Sequence, residues 1–260
     1  MRDFQIFADS SCDLPQSLLD RYNIKLIPFY ISFDHENYYK ENVDISNEEF
    51  YRRLSDKDLF PYTSLPSVQD YMSEFRQTLK EGKDLICLCL TQKFSGSYQS
   101  ALNAAQILEE QYPEAQIRVV DSIQATAGEG LLLLQAAYMK EAGYSLEELY
   151  NKLLELRSTA RIMFTLDTLE YLKRGRRIGK VAALAGAMLD LKPLVQLKDT
   201  ELIPYSNVRG RKKALDKVLQ MVEEYFAETK EDPSHYDFCI ANATTIEDAC
   251  YLPEKLESFL

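Results

Sequence analysis

Histidine occurs only twice in the 260 residues, at His35 and His235, which leaves little for a histidine-ligated metal site or a histidine-based triad. Cysteine is sparse as well: Cys12, Cys87, Cys89, Cys239 and Cys250 form an odd set with no CxxC pair and no zinc-like spacing. Cys87 and Cys89 alternate within the apolar run Leu85–Leu90, where a small buried hydrophobe is the expected role, so a reducing, cytoplasmic compartment is expected. Tryptophan is absent, while tyrosine reaches 17. Long apolar runs are missing too. The longest stretches, near Leu131–Tyr138 and Val181–Leu191, fall short of the roughly 20 residues that a membrane span requires. The opening MRDFQIFADSS has no apolar signal core. There is no Walker A sequence, no GxGxxG after a strand and no GxSxG elbow. Positive charge is the minority sign, with 30 Lys+Arg against 41 Asp+Glu for a net charge of −11. An acidic body repels phosphate backbones, so no nucleic-acid partner is expected without a local basic patch.

What is present is enough for a globular core. Apolar residues make up 46% of the chain, and at roughly 100–200 residues per domain its length suits one large domain or two modest ones. The first half alternates short apolar strands with amphipathic helices. Strands are predicted at Phe4–Ala8, Ile24–Phe33, Leu85–Leu90 and Ile117–Val120. Helices are predicted at Leu14–Tyr22 with Asp13 as N-cap, after Ser46 through Leu54, from Ser67 to Gly82, at Gly96–Gln111 and at Ala125–Ala142. His35–Tyr39 reads as a polar hairpin tip. This β-α-β-α order favours a mostly parallel sheet flanked by helices. The rhythm changes near Arg157. Strands are then expected at Arg161–Leu166, Leu191–Leu197, Leu202–Tyr205 and Tyr236–Ala241, with helices at Leu169–Arg174, Val181–Leu189, Arg211–Glu228 and Thr245–Ser258. The expected organisation is an α/β protein of two α/β domains, residues 1–157 and 158–260.

In open parallel sheets, ligands bind beyond the carboxyl ends of the strands. Three predicted strands end in polar clusters: Asp9-Ser10-Ser11, the Thr91–Ser97 stretch, and Asp121-Ser122. Such residues can cap helices and close turns, or they can converge on a polar head group. For Ser95-Gly96-Ser97 both roles stay open, because glycine permits close backbone approach and the following helix N-terminus offers free N–H groups. Thr63 and Ser64 sit in an extended segment before Pro66 with no local capping role, whereas Ser67 reads as a helix cap. Hydroxyls suit a carboxylate, since each donates a short hydrogen bond without adding a charge that must be desolvated. Ser95 lies in Phe-Ser-Gly-Ser with no base in reach of sequence reasoning, so no catalytic residue is assigned. Basic residues gather at Lys173–Lys180 and Arg209–Lys213. These are either solvated helix ends or docking patches for an acidic partner, a phosphate-bearing ligand or an anionic membrane surface.

Together, Asp9–Pro15 (DSSCDLP), Thr63–Ser67 (TSLPS), Ser95–Ala101 (SGSYQSA), Val120–Ser122, Leu169–Gly175, Leu189–Pro193 and Val208-Arg209 resemble the DegV family of bacterial lipid-binding proteins. The resemblance implies two α/β domains with the ligand site between them, clasping one long-chain fatty acid in an apolar tunnel. It implies a lipid-binding subunit with no cofactor, which presents the carboxylate to a separate ATP-binding fatty acid kinase subunit. The acyl phosphate formed would feed phospholipid synthesis. Carried over by position, Thr63 and Ser95 would contact the carboxylate, with Ser64, Gly96 and Ser97 close by. Arg177 matches the arginine of the family's Gly-Gly-Arg-Ile stretch, and Arg209 matches an arginine implicated in the kinase encounter. Arg176 stands where the family has its second glycine, which makes this partner-facing loop more basic. The family's closing strand carries a His-x-Gly-Pro-Gly stretch whose histidine joins the carboxylate network. No such stretch occurs in these residues, so the second domain is expected to be short of that strand. The leading expectation is a fatty-acid carrier and presenter. The alternatives are a stand-alone esterase or phosphotransferase acting through Ser95, and a regulatory or membrane-docking module using the basic patches.

Overall fold

Strand β1 (Phe4–Asp9) is buried at every position, as is β6 (Asp84–Cys89). A strand covered on both faces has no solvent side on which to alternate, which is the signature of the middle of a parallel sheet. The computed structural model describes residues 2–56, 59–185, 190–243 and 246–257, and the chain divides into two units, Met1–Ala160 and Arg161–Leu260.

In the first unit, β1 and β6 pair in parallel at the centre of a four-stranded sheet. They are flanked by β2 (Ile24–Ile27) and β7 (Ile117–Asp121), in the order β2-β1-β6-β7. The two-residue period of a strand sends Phe4, Ile6 and Ala8 to one face and Phe7 and Asp9 to the other. On the first face α5 (Thr126–Glu141) and α6 (Leu146–Leu156) bury Leu132, Leu133, Leu149 and Leu153 against Ile6, Ile86 and Leu88. On the second, α3 (Val68–Lys80) and α4 (Ser97–Gln111) bury Tyr71, Phe75, Ala101 and Leu108 against Phe7, Leu85 and Cys87. Cys87 and Cys89 are buried free thiols that fill this core, and burial pushes both thiols up from their ordinary pKa.

The stretch Ile24–Phe33, expected as one strand, is two. Pro28 interrupts it, and β3 (Tyr30–Ser32) leaves the parallel sheet to form a small antiparallel sheet with β4 (Tyr39–Lys40) and β5 (Tyr62–Ser64). The Phe29 N–H, freed from any ladder, donates to Ser10 Oγ at 2.9 Å. Thr63 thus sits on a strand, opposite Ile31. The helix expected from Leu14 is the short α1 (Gln16–Arg21). Asp13 does not cap it: it adopts a left-handed conformation (φ 51°) that closes a 3-10 turn over Ser10–Cys12, and Pro15 takes the N-cap position. Ser46 caps α2 (Asn47–Leu54), but Glu49 turns forward to Arg52 and Arg53. Ser67 and Asp70 close a reciprocal capping box on α3. Ser145 and Glu148 do the same for α6, a helix that the sequence reading passes over.

The second unit holds an antiparallel sheet in the order β10-β9-β8, built from β8 (Ile162–Thr165), β9 (Leu191–Lys198) and β10 (Glu201–Arg209). Asp199 and Thr200, both at positive φ (50° and 68°), make the two-residue turn joining β9 to β10. Helices α7 (Glu170–Arg174) and α8 (Arg211–Thr229) fall close to expectation, and α9 spans Ile246–Glu257. The expected helix at Val181–Leu189 is a 3-10 segment over Gly179–Leu184, and residues 186–189 lie outside the described residues, as do Thr245 and Ser258. Tyr236–Ala241 is not a strand. Its tyrosine hydroxyl is bound to Glu231, and Phe238 packs on Phe226 of α8, so side-chain burial takes the place of a ladder.

Helix α5 approaches the 3-10 turn closely enough that a Cβ on Gly130 would stand 2.6 Å from the Cys12 carbonyl oxygen. In an open helix Gly→Ala is stabilising by about 1 kcal/mol. Here the clash should dominate, and Gly130→Ala is expected to destabilise the protein by about 1–3 kcal/mol. A urea transition midpoint that is unchanged or higher would contradict this packing.

Candidate functional site

The three polar strand ends do converge, but mostly on each other. Asp9, at the end of β1, has no exposed surface. Its Oδ1 accepts from Ser11 N–H at 3.2 Å and from the Ser11 hydroxyl at 2.6 Å. Its Oδ2 accepts from Leu90 N–H at 3.0 Å and from Ser97 Oγ at 2.6 Å. One carboxylate therefore joins the ends of β1 and β6 to the first residue of α4. Ser10 donates to Glu41. Ser122 closes its own turn with the backbone of Gln124, and Asp121 receives Gln92 and the Ile123 N–H. These groups form the frame of the rim.

The Ser95–Ser97 loop divides into an inward and an outward half. Ser97 is fully buried, and its hydroxyl lies 2.6 Å from Tyr71 OH as well as from Asp9, so its side chain is committed to the interior. Ser95 is half-buried, and its Oγ accepts the Ser97 N–H at 3.1 Å. No described residue accepts the Ser95 proton. Gly96 is exposed and stands at the N-cap of α4, with no side-chain cap on that helix. Leu65 Cδ2 lies 3.3 Å from the position a Gly96 Cβ would take, so the segment following Thr63 and Ser64 packs on this loop. Thr63 and Ser64 are exposed on β5. The first unit thus brings Leu65, which follows Ser64, against Gly96, at a helix N-terminus whose first N–H, that of Ser97, is taken by Ser95 Oγ and whose dipole favours negative charge.

Arg176, Arg177 and Arg209 belong to the second unit. Arg176 has positive φ (57°) just after α7, and Arg209 ends β10. Both are exposed, and neither makes an ion pair with a described residue, whereas Arg211 pairs with Asp248 at 2.8 Å. His35 stacks on Tyr62 with ring centroids 3.5 Å apart. Among the described residues no group of three or more His, Cys, Asp or Glu is placed to hold a metal ion, and no helix is long and apolar enough to cross a membrane.

Two residues of this frame escaped sequence reasoning. Tyr71 is hidden within an ordinary amphipathic helix. Glu129, fully buried on α5, lies 2.9 Å through Oε2 from the Ser11 hydroxyl, while its Oε1 has no partner. The available signal was Gly128-Glu129-Gly130, a carboxylate between glycines just ahead of the apolar run Leu131–Leu134.

The fold and site define an α/β protein with a hydroxyl-bearing rim at the carboxyl ends of its parallel strands. The model of the DegV family, described as uncharacterised protein of that family, matches residues 3–260, and the chain belongs to the DegV family. A DegV domain-containing protein of Clostridium perfringens is 34% identical over 259 residues, covering 98% of this chain and 87% of the relative. A solved stearic acid-binding protein from Eubacterium ventriosum superposes with a TM-score of 0.82 at 42% identity, over 87% of this chain and 78% of that one. A fatty-acid-binding DegV family protein from Thermus thermophilus gives 0.76 at 33% identity, over 86% and 78%.

The frame is also a store of pH dependence. Burial is the largest influence on Glu129, raising its pKa well above the ordinary value, and the neighbouring Asp9 charge adds to it. Burial also raises Asp9 and Glu41, opposed by the hydrogen bonds they accept. An acid with a raised native pKa binds more protons folded than unfolded, so its contribution is complete at low pH and is lost as pH rises through the native value. Asp34 and Glu49 are held low by hydrogen bonds and lose their contribution only below the usual carboxylate range. Thermal stability should therefore increase as pH falls from about 7 to about 5. A melting temperature that is flat or falls over that window, read by calorimetry, would contradict the buried assignment.

Proposed function

We propose that this protein binds one long-chain fatty acid, holds its alkyl chain in an apolar tunnel, and presents the carboxylate to a separate ATP-dependent kinase subunit that forms the acyl phosphate. The observation that carries this reading is the Ser95 hydroxyl. Its oxygen is fixed by the Ser97 N–H, its proton has no acceptor among the described residues, and the adjoining Gly96 is packed by Leu65, the residue that follows Thr63-Ser64. Membership of a family whose solved relatives are described as fatty-acid-binding supports the choice of ligand. Burying an alkyl chain gains about 0.8 kcal/mol per methylene, so affinity needs no charged anchor at the head. Neutral donors can hold the carboxylate while leaving it open to phosphoryl transfer.

A separate ATP-binding partner is in keeping with a sequence that has no Walker A, no GxGxxG after a strand and no GxSxG, and in this reading the exposed Arg176 and Arg209, with Arg177, would face it. Action in the cytoplasm, with transient contact at the membrane surface where acyl chains are exchanged, completes the reading. A stand-alone esterase is disfavoured because, among the described residues, no histidine or carboxylate accepts the Ser95 proton to activate the hydroxyl.

Protein expressed in bacteria should carry one acyl chain, detectable by mass spectrometry after denaturation. Ser95→Ala should weaken binding of oleate by about 1.5–3 kcal/mol, the loss of one hydrogen bond to a charged group. With a partner kinase and ATP, charge reversal at Arg209 should slow acyl phosphate formation about tenfold, equivalent to about 1.4 kcal/mol. A well-folded protein that ignores added oleate and palmitate, or turnover of a chromogenic ester that vanishes in Ser95→Ala, would overturn the reading.

A further inference from the structure

Ser11 has one hydroxyl proton, yet its Oγ lies within hydrogen-bond distance of two carboxyl groups, Asp9 Oδ1 at 2.6 Å and Glu129 Oε2 at 2.9 Å. A hydroxyl donates once, so the second contact requires a proton on one of the acids. Geometry decides which. Asp9 receives two backbone N–H groups, from Ser11 and Leu90, and neither donor can be turned around. It also receives Ser97 Oγ, whose own oxygen is free to accept from Tyr71. Among the described residues Glu129 has one hydrogen-bond partner, Ser11, and its buried Oε1 has none. An ionised carboxylate left with a bare buried oxygen is far costlier than a neutral acid with an unpartnered carbonyl. The neighbouring Asp13 is also acidic and offers Glu129 no compensating cation.

We infer that Glu129 is a positioning residue of the acyl head-group site: as a neutral acid it donates to Ser11, which leaves the Ser11 proton for Asp9, whose carboxylate orients Ser97 and through it the Ser95 hydroxyl. The relay is continuous, from Glu129 O–H to Ser11 Oγ, Ser11 O–H to Asp9, Ser97 O–H to Asp9, and Ser97 N–H to Ser95 Oγ at 3.1 Å. It never touches the ligand, but it determines which way the ligand-facing hydroxyl points. Removal of Asp9's charge would leave Ser97 free to turn toward Tyr71 and the turn around Ser95 without its anchor. The relay makes Ser95 a pre-oriented donor, and it rests on the fatty-acid reading of the site.

The test compares Glu129→Gln with Asp9→Asn in the full chain. Glu129→Leu, which cannot donate to Ser11, should bind oleate about tenfold more weakly, and Glu129→Gln, which keeps the shape of the neutral acid and can donate an N–H to Ser11, should rescue most of that loss. Asparagine cannot accept the same donors on both of its terminal atoms, so Asp9→Asn should bind oleate about tenfold more weakly or worse. Difference infrared spectra at neutral pH provide a reading that stability alone would not move: the carbonyl band of a neutral carboxylic acid should vanish in Glu129→Gln and persist in Asp9→Asn. The reverse pattern, with Glu129→Gln as the damaged variant or the acid band retained in it, overturns the assignment. Ser97→Ala provides the same affinity test should Asp9→Asn fail to fold. If the wild type binds oleate and both Asp9→Asn and Ser97→Ala bind it equally well, the positioning role is wrong and the fatty-acid reading stands. If the wild type binds no fatty acid, that reading fails, while the infrared arm still decides which acid carries the proton.

Discussion

A carboxylate without exposed surface is expensive to bury, and Asp9 is retained at the end of the central strand β1 with four donors arranged around it. The position of much of the rim follows from this arrangement. The Leu90 N–H fixes the end of β6, Ser11 fixes the 3-10 turn that leads into α1, and Ser97 fixes the start of α4. The parallel sheet brings these three chain ends to one edge, and the buried charge makes their relative placement specific. Removing one donor leaves part of a charge unsatisfied, whereas in an apolar contact it would only lose area. The loop that carries Ser95 is held, through Ser97, by a carboxylate with no exposed surface.

Backbone organisation was legible wherever a local rule was sufficient. The continuous apolar runs at β1 and β6, the helix cap at Ser67, and the extents of α4 and α8 each follow from local sequence. Failures came where a distant partner or a single residue overrode the pattern. Pro28 divides an apolar stretch between two sheets, and Asp13 leaves capping to close a turn in a left-handed conformation. Tyr236–Ala241 has the composition of a strand but places its rings on α8.

The site was legible in its composition and less so in its division of labour. Sequence marked Ser95, Gly96 and Ser97 as one hydroxyl cluster. In the structure the three have different roles: Ser97 faces the buried acid, Gly96 opens the helix end, and Ser95 alone keeps a proton to offer. The contact between Leu65 and Gly96 joins the end of β5 to the start of α4, segments far apart in sequence, which spacing cannot reveal. Glu129 was invisible for a similar reason, since its partner Ser11 lies 118 positions away.

On the proposed reading, an acidic chain would hold an anion with neutral groups and would have to discriminate by geometry. Each hydroxyl contributes about 1.5–3 kcal/mol when its partner is ionised and about half that when it is neutral. Head-group recognition should therefore separate a fatty acid from a molecule with the same tail and no charge. The most direct measurement is the affinity of the wild type for palmitate and for the primary alcohol of the same chain length, measured side by side by calorimetry at neutral pH. Binding of the acid at least about tenfold tighter, with the gap narrowed in Ser95→Ala, is the predicted result. Equal affinities for acid and alcohol would contradict it, because the tail alone would then account for binding.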